Sequence, residues 1–283
     1  SVQFSQNLLA ETNDFELILD KVDLAGLPSD IVDLAKLEAE NKFSKNKEDK
    51  YKDKYVFTVQ RSSMYPFLTY STRRDLREKL YKGYIQRGDN NNEYDNKDIT
   101  SKIASLRVEK ANILGFESHA HYVLDNTMAK TPEAVYGLLN QLWAPALKRA
   151  KNELNEMQIL ANEEGNNFEI ASWDWWHYAE KVRKDKYDLD EEEIKEYFTL
   201  DNTIDGIFKT SNKLFGLTFE EKFDLDLYHP DARVWEVKDS DGSHVGLYIG
   251  DYYTRSSKRG GAWMSSFKSQ SNFDGKERPI IVN

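Results

Sequence analysis

The chain has 283 residues, 39% of them hydrophobic and 31% charged, which is length enough for one large or two medium domains with a real core. A net charge of −10 argues against a general nucleic-acid binder, which needs a basic face against phosphates. No apolar run reaches the roughly 18 residues of a membrane span, and the absence of cysteine excludes disulfides, thiolate metal sites and a cysteine nucleophile.

In chain order, helical signals come first. The chain enters on an amphipathic pattern at Ser1, with no signal-peptide charge and apolar region. Leu27-Pro28-Ser29-Asp30 opens a helix with Ile31, Leu34, Leu37 and Ala39 on its apolar side. Residues 44–54 are a solvated charge run, and Tyr55 to Val59 is β-like. A helix starting at Thr72 carries Leu76, Leu80 and Tyr84 on one stripe. An Asn/Asp-rich loop from Gly88 to Asp98 leads to a helix with Ile99, Ile103, Leu106 and Ile113, closed by Gly115. Ser118 begins a short helix. Thr131-Pro132-Glu133 starts a long one, with Thr as cap, Pro in the first turn and an acid beside it. That helix runs to about Glu164, with a kink expected at Pro145. Ser172 caps a helix with Trp173, Trp176 and Tyr178, and two more follow before Gly216.

After Gly216 the period changes to that of strands: Leu217 to Phe223, Arg233 to Lys238, His244 to Tyr253 and Ile280 to Val282, with a hairpin loop at Asp239–Ser243. The expected fold is therefore mainly α, an α-rich α+β class, in which a long-helix bundle is followed by a small antiparallel sheet. The division expected is a helical region over 1–170, then helices and sheet over 171–283.

The chemistry that could be read directly is sparse. A zinc hydrolase motif needs two imidazoles one helical turn apart. No two of His119, His121, His177, His229 and His244 have that spacing, and His119 and His121 would point about 200° apart on a helix. His121 with Asp125, and His177 with Glu180, share helix faces and read as ordinary pairs or partial metal sites. Asp239-x-Asp241-Gly242 has the start of a calcium loop but lacks its terminal Glu, and reads as turn chemistry. Phosphate-loop, dinucleotide and serine-hydrolase motifs are absent. Two features remain. Gly242, Gly246 and Gly250 would share a strand face, open to a ligand or to a packed helix. Arg259-Gly260-Gly261-Ala262-Trp263-Met264 suits an edge strand to which an extended peptide could add.

Longer stretches carry a resemblance. They are Leu76-Arg77-Glu78-Lys79-Leu80, Leu114-Gly115-Phe116-Glu117-Ser118, Met128-Ala129-Lys130-Thr131-Pro132-Glu133, Trp173-Asp174-Trp175, Tyr228-His229-Pro230-Asp231, Gly250-Asp251-Tyr252-Tyr253 and Gly260-Gly261-Ala262-Trp263-Met264. Together the sequence resembles the zinc oligopeptidase family of thimet oligopeptidase, oligopeptidase A and peptidyl-dipeptidase Dcp, most of all the Dcp branch. The resemblance implies a helical clam-shell that hydrolyses short peptides with one zinc, held by a His-Glu-x-x-His helix and a downstream Glu. No such motif is present in this sequence. The expectation is an internal fragment of a zinc peptidyl-dipeptidase, inactive by itself, with no catalytic residue, no metal ligand and no zinc of its own. Carried onto this chain, the resemblance makes Gly260, Gly261, Ala262 and Trp263 the substrate-binding strand. It favours the cytoplasm, short peptides as partners of the full-length enzyme, and neither nucleic acid nor membrane. Self-association through residues 265–283 is expected of a truncated face. The competing readings are a non-catalytic helical binding module and a metal binder using His121/Asp125 or Asp239/Asp241.

Overall fold

A computed structural model describes residues 1–187, 191–258, 261 and 264–282. The chain is mainly helical with small antiparallel sheets, as its periodicities imply. It divides into two units, Lys186–Lys258 forming one and Ser1–Asp185 together with the C-terminal segment the other.

The larger unit starts with α1 (Val2–Asp14), β1 (Leu17–Leu19), α2 (Ser29–Asn46), β2 (Tyr55–Phe57), α3 (Arg61–Tyr70) and α4 (Arg74–Ile85). β1 and β2 pair antiparallel, Ile18 opposite Val56. Around this ribbon lies the core: Leu17, Leu19, Ile31, Ala35, Phe57, Met64, Phe67, Leu68 and Leu80 are all buried. Leu76 and Tyr84 pack against it, so α4 presents the stripe its spacing implied. α2 differs from its expected stripe. It buries Ile31, Ala35 and Ala39, which follow at i, i+4 and i+8, while Leu34 and Leu37 face out. The small residues win because they let α2 lie close on the ribbon.

Polar anchors fix the loops. Glu11 on α1 is buried and accepts hydrogen bonds from Asn90 Nδ2 (2.9 Å), Asn92 Nδ2 (2.7 Å) and the Gly88 amide. Asn7 donates to Asn96 at 3.0 Å, and Asn96 to the Phe4 carbonyl at 3.1 Å. The Asn-rich loop is thus folded against α1.

Next come α5 (Lys97–Ile113), α6 (His119–Leu124), α7 (Pro132–Glu163) and α8 (Trp175–Tyr187). Thr131 caps α7 by accepting from the Ala134 amide at 3.3 Å, and the helix continues through Pro145 to Glu163. Gly165 follows at φ +80°, a conformation that suits glycine after a helix end. Met157 and Ala161 of α7 pack with Tyr178 of α8 in a second small core.

One tie between distant segments is ionic. Asp174 is fully buried and accepts from Arg77 Nη2 (2.8 Å), from Arg74 Nη2 (2.9 Å) and from the Ala171 amide (3.1 Å). Arg77, itself buried, also donates to the Ser71 carbonyl at 2.7 Å. The Arg74 guanidinium lies 4.0 Å from the centroid of the Phe168 ring.

The smaller unit holds α9 (Glu191–Lys195), α10 (Leu200–Phe215), β3 (Thr218–Lys222), β4 (Arg233–Lys238) and β5 (His244–Gly250). The strands form one antiparallel sheet in the order β3-β4-β5. Gly216 ends α10 at φ +74°. The C-terminal segment contributes a ribbon of β6 (Ser265–Lys268) and β7 (Ile280–Val282), paired Ser266 opposite Ile281.

Candidate substrate strand and its surroundings

Of the four residues expected to bind substrate, Gly260, Ala262 and Trp263 lie outside the described residues. Gly261 is described. It is exposed at φ +112°, and a Cβ built on it would meet open space. The position therefore demands glycine for its backbone, not for room. Further along, Met264 and the whole of β6 are exposed.

The stretch leading to this segment, 251–258, is organised by one carboxylate. Asp251 accepts from Arg255 through both guanidinium nitrogens, Nη1 at 2.8 Å. Tyr228 Oη donates to it at 2.9 Å, and Lys258 Nζ lies at 2.9 Å. Lys258 also donates to the backbone carbonyls of Asp251 (2.7 Å) and Tyr253 (2.8 Å). The Arg255 hydrogen bonds hold the Asp251 carboxyl far below its usual range. Both cations are committed to the fold, so this cluster is a clamp and offers no free base.

The glycines of the sheet behave differently from one another. Gly242 is not on the strand: it sits in the hairpin turn at φ +82°, where its amide donates to the Asp239 carbonyl at 2.9 Å. The Ser243 amide donates to Asp241 at 2.9 Å, so the two aspartates close the turn. Gly246 and Gly250 share a face of β5 with Tyr248. A Cβ at Gly250 would come 2.5 Å from the Tyr252 ring, whose hydroxyl meets that of Tyr248 at 2.6 Å. A Cβ at Gly246 would meet nothing.

This face is covered by α10. Phe208 stacks on Phe219 with centroids 4.0 Å apart, and meets Trp235 at 5.3 Å and Tyr248 at 6.1 Å. Beside the stack opens a pocket of about 310 Å³ lined by Asp201, Asp205, Phe208, Glu221, Arg233 and Trp235. Arg233 grips Glu221 through Nε (2.8 Å) and Nη2 (2.9 Å), and Asp201 through Nη1 (2.8 Å). Those bonds raise the Arg233 pKa and lower that of Glu221. The charges satisfy each other and no nucleophile stands beside a base.

Three of the histidines are likewise engaged one by one. His121 Nδ1 meets Ser118 Oγ at 2.8 Å, and His244 Nδ1 meets Glu236 at 2.9 Å. His177 Nδ1 donates to the Thr69 carbonyl at 2.9 Å, while Glu180 pairs with Arg183. Neither the His121/Asp125 nor the His177/Glu180 pairing is formed. Among the described residues no group of three or more His, Asp and Glu side chains could hold a metal ion.

Comparison with known proteins decides the lineage. A model of peptidase family M3 matches residues 67–282. The chain belongs to peptidase family M3. The dipeptidyl carboxypeptidase of Escherichia coli (strain K12) is 36% identical over 283 residues, which covers 99% of this chain and 40% of that protein. The dipeptidyl carboxypeptidase of Salmonella typhimurium is 38% identical with the same coverage. Oligopeptidase A of Escherichia coli (strain K12) is 33% identical over 273 residues, 95% of this chain and 39% of its own length. The chain thus spans about two fifths of the M3 proteins it matches. Family M3 is zinc-dependent in general; this sequence has no His-Glu-x-x-His, and the described residues hold no group that would ligate the ion. No step through zinc is derived from them.

Two sets of residues escaped sequence reasoning. Asp174 stood within a recognised Trp-Asp-Trp motif, but its partners lie 97 and 100 positions away. Asp251, inside Gly-Asp-Tyr-Tyr, had a nearer signal: Arg255 and Lys258 follow within seven positions.

Proposed function

We propose that the chain is one part of a zinc metallopeptidase that hydrolyses short peptides and removes dipeptides from their C-termini. The observation that supports this is the M3 match over 67–282 together with the likeness to two dipeptidyl carboxypeptidases along 99% of the chain. On this reading the part present contributes substrate contacts, and zinc chemistry is supplied by residues outside it. The metal would polarise the scissile carbonyl. Gly260 to Trp263 hold the substrate backbone by main-chain hydrogen bonds, in the manner of a strand added to an edge. The Asp251 clamp stiffens the stretch that leads into them.

The test places this sequence between the flanking parts of the Escherichia coli dipeptidyl carboxypeptidase and offers the chimera a peptide with a free C-terminus. Mass spectrometry should show losses in steps of two residues from that end. Internal cuts would instead align the chain with the oligopeptidase A activity. A folded, zinc-loaded chimera that cuts nothing would favour the alternative, a helical binding module. The 283-residue chain alone is expected to cut no peptide and to retain no stoichiometric zinc after dialysis.

A further inference from the structure

The arm formed by α5, α6 and α7 has almost no core. Between Asn96 and Met157 a single residue, Ala111, is buried. Over the same stretch Leu106, Ile113, Tyr136, Leu139, Trp143 and Leu147 are exposed, Trp143 at 67%. On α7 these residues follow helical spacing: Tyr136, Leu139, Trp143, Leu147 and Leu154 lie on one stripe. Met157 and Ala161 continue that stripe, and there it is covered by Tyr178 and Val182 of α8. One face of one helix is therefore a packed interface at its C-terminal end and bare for four turns before it. An apolar stripe of this length left in water forfeits the burial that normally holds a helix in place.

We propose that the bare stretch of the α7 stripe is a docking surface for an amphipathic helical segment of the same full-length polypeptide, drawn from the part of an M3 chain that this sequence does not include. Two observations choose that occupant. The stripe is continuous with an interface already formed within the chain, and the chain accounts for only about 40% of the relatives it matches. The proposal rests on family membership and not on the peptide-cleavage reading; a chimera that protects the stripe but cleaves nothing would uphold the first and sink the second.

The chain has no cysteine, so single-cysteine labelling reads the surface directly. Leu139→Cys should react with a maleimide at least ten times more slowly in the chimera with the Escherichia coli flanks, its own cysteines replaced, than in the 283-residue chain. Lys209→Cys, on an exposed side chain, serves as the control and should keep its rate. Trp143→Lys adds a second readout: it should leave the melting temperature of the isolated chain nearly unchanged and lower that of the chimera by several degrees. Equal labelling rates, or a chimera indifferent to Trp143→Lys, overturn the proposal, as does a chimera that fails to fold. Protection in the isolated chain would overturn it too: growing with concentration, it assigns the stripe to a second copy, and independent of concentration, to the chain's own covering.

Discussion

His177 is held on α8 with its Nδ1 on the Thr69 carbonyl, and the groups around it are Arg77 from α4, Lys181 from its own helix and Glu164 at the end of α7. Burial, helped by the Arg77 charge, lowers its pKa to about 4 from the ordinary 6.5. The unfolded chain binds the proton more readily, so this residue's contribution to stability is intact above pH 6.5 and is lost as the pH falls towards 4. The loss should amount to about 2–3 kcal/mol. Urea midpoints measured between pH 7 and 4.5 should fall for the parent chain and flatten for His177→Gln, which keeps a donor for Thr69. Asp174 is the other telling position. Asp174→Ala strands the buried Arg77 guanidinium without its counter-charge, at a cost of about 3–5 kcal/mol; denaturant unfolding measures it. At the proposed substrate strand, Trp263→Ala in the full-length chimera should raise KM for peptides several-fold with kcat little changed, and unchanged kinetics would remove Trp263 from the site.

Elements are held by different means in the two units. The larger one packs helices on a two-stranded ribbon, whereas the sheet of the smaller one relies on the aromatic stack under α10. Phe208→Ala deletes the 4.0 Å stack on Phe219 and the contacts to Trp235 and Tyr248. It should cost about 2–4 kcal/mol, seen as faster amide exchange in β4 and β5 with α2 and α4 unaffected. Across the opposite side of that sheet, Glu236 is drawn to about 2 by the hydrogen bond of His244 and by Lys222. Most of these elements were legible in the residues: Thr131-Pro132-Glu133 announced α7, and the turn at Asp239–Ser243 announced the β4–β5 hairpin. Others were not. α3 has no cap signal and carries Pro66 within it, and β1 is three residues long, too short for periodicity to show.

At the scale of the molecule, composition and coverage agree. A chain with no cysteine has no thiolate chemistry to offer. No helix among the described residues is long and apolar enough to cross a membrane. The exposed apolar side chains of α5 to α7 and of β6 and β7 lead to an expectation for the isolated chain: it should bind a hydrophobic dye, and it should associate through β6 and β7 as its concentration rises, measured by sedimentation. A monomer blind to the dye at high concentration would contradict it.

Local chemistry was written in the sequence. Helix starts and stops, the change from a 3.6 to a 2.0 period after Gly216, the turn aspartates and the lack of a zinc motif depend on neighbours within a few positions, and each could be read where it stood. Which side of α2 turns inward and which aspartate is buried with two arginines about a hundred residues away were decided by tertiary structure alone. Those outcomes depend on contacts between segments far apart in the chain, where burial and charge pairing are settled by what comes to lie opposite, and no local pattern carries that information.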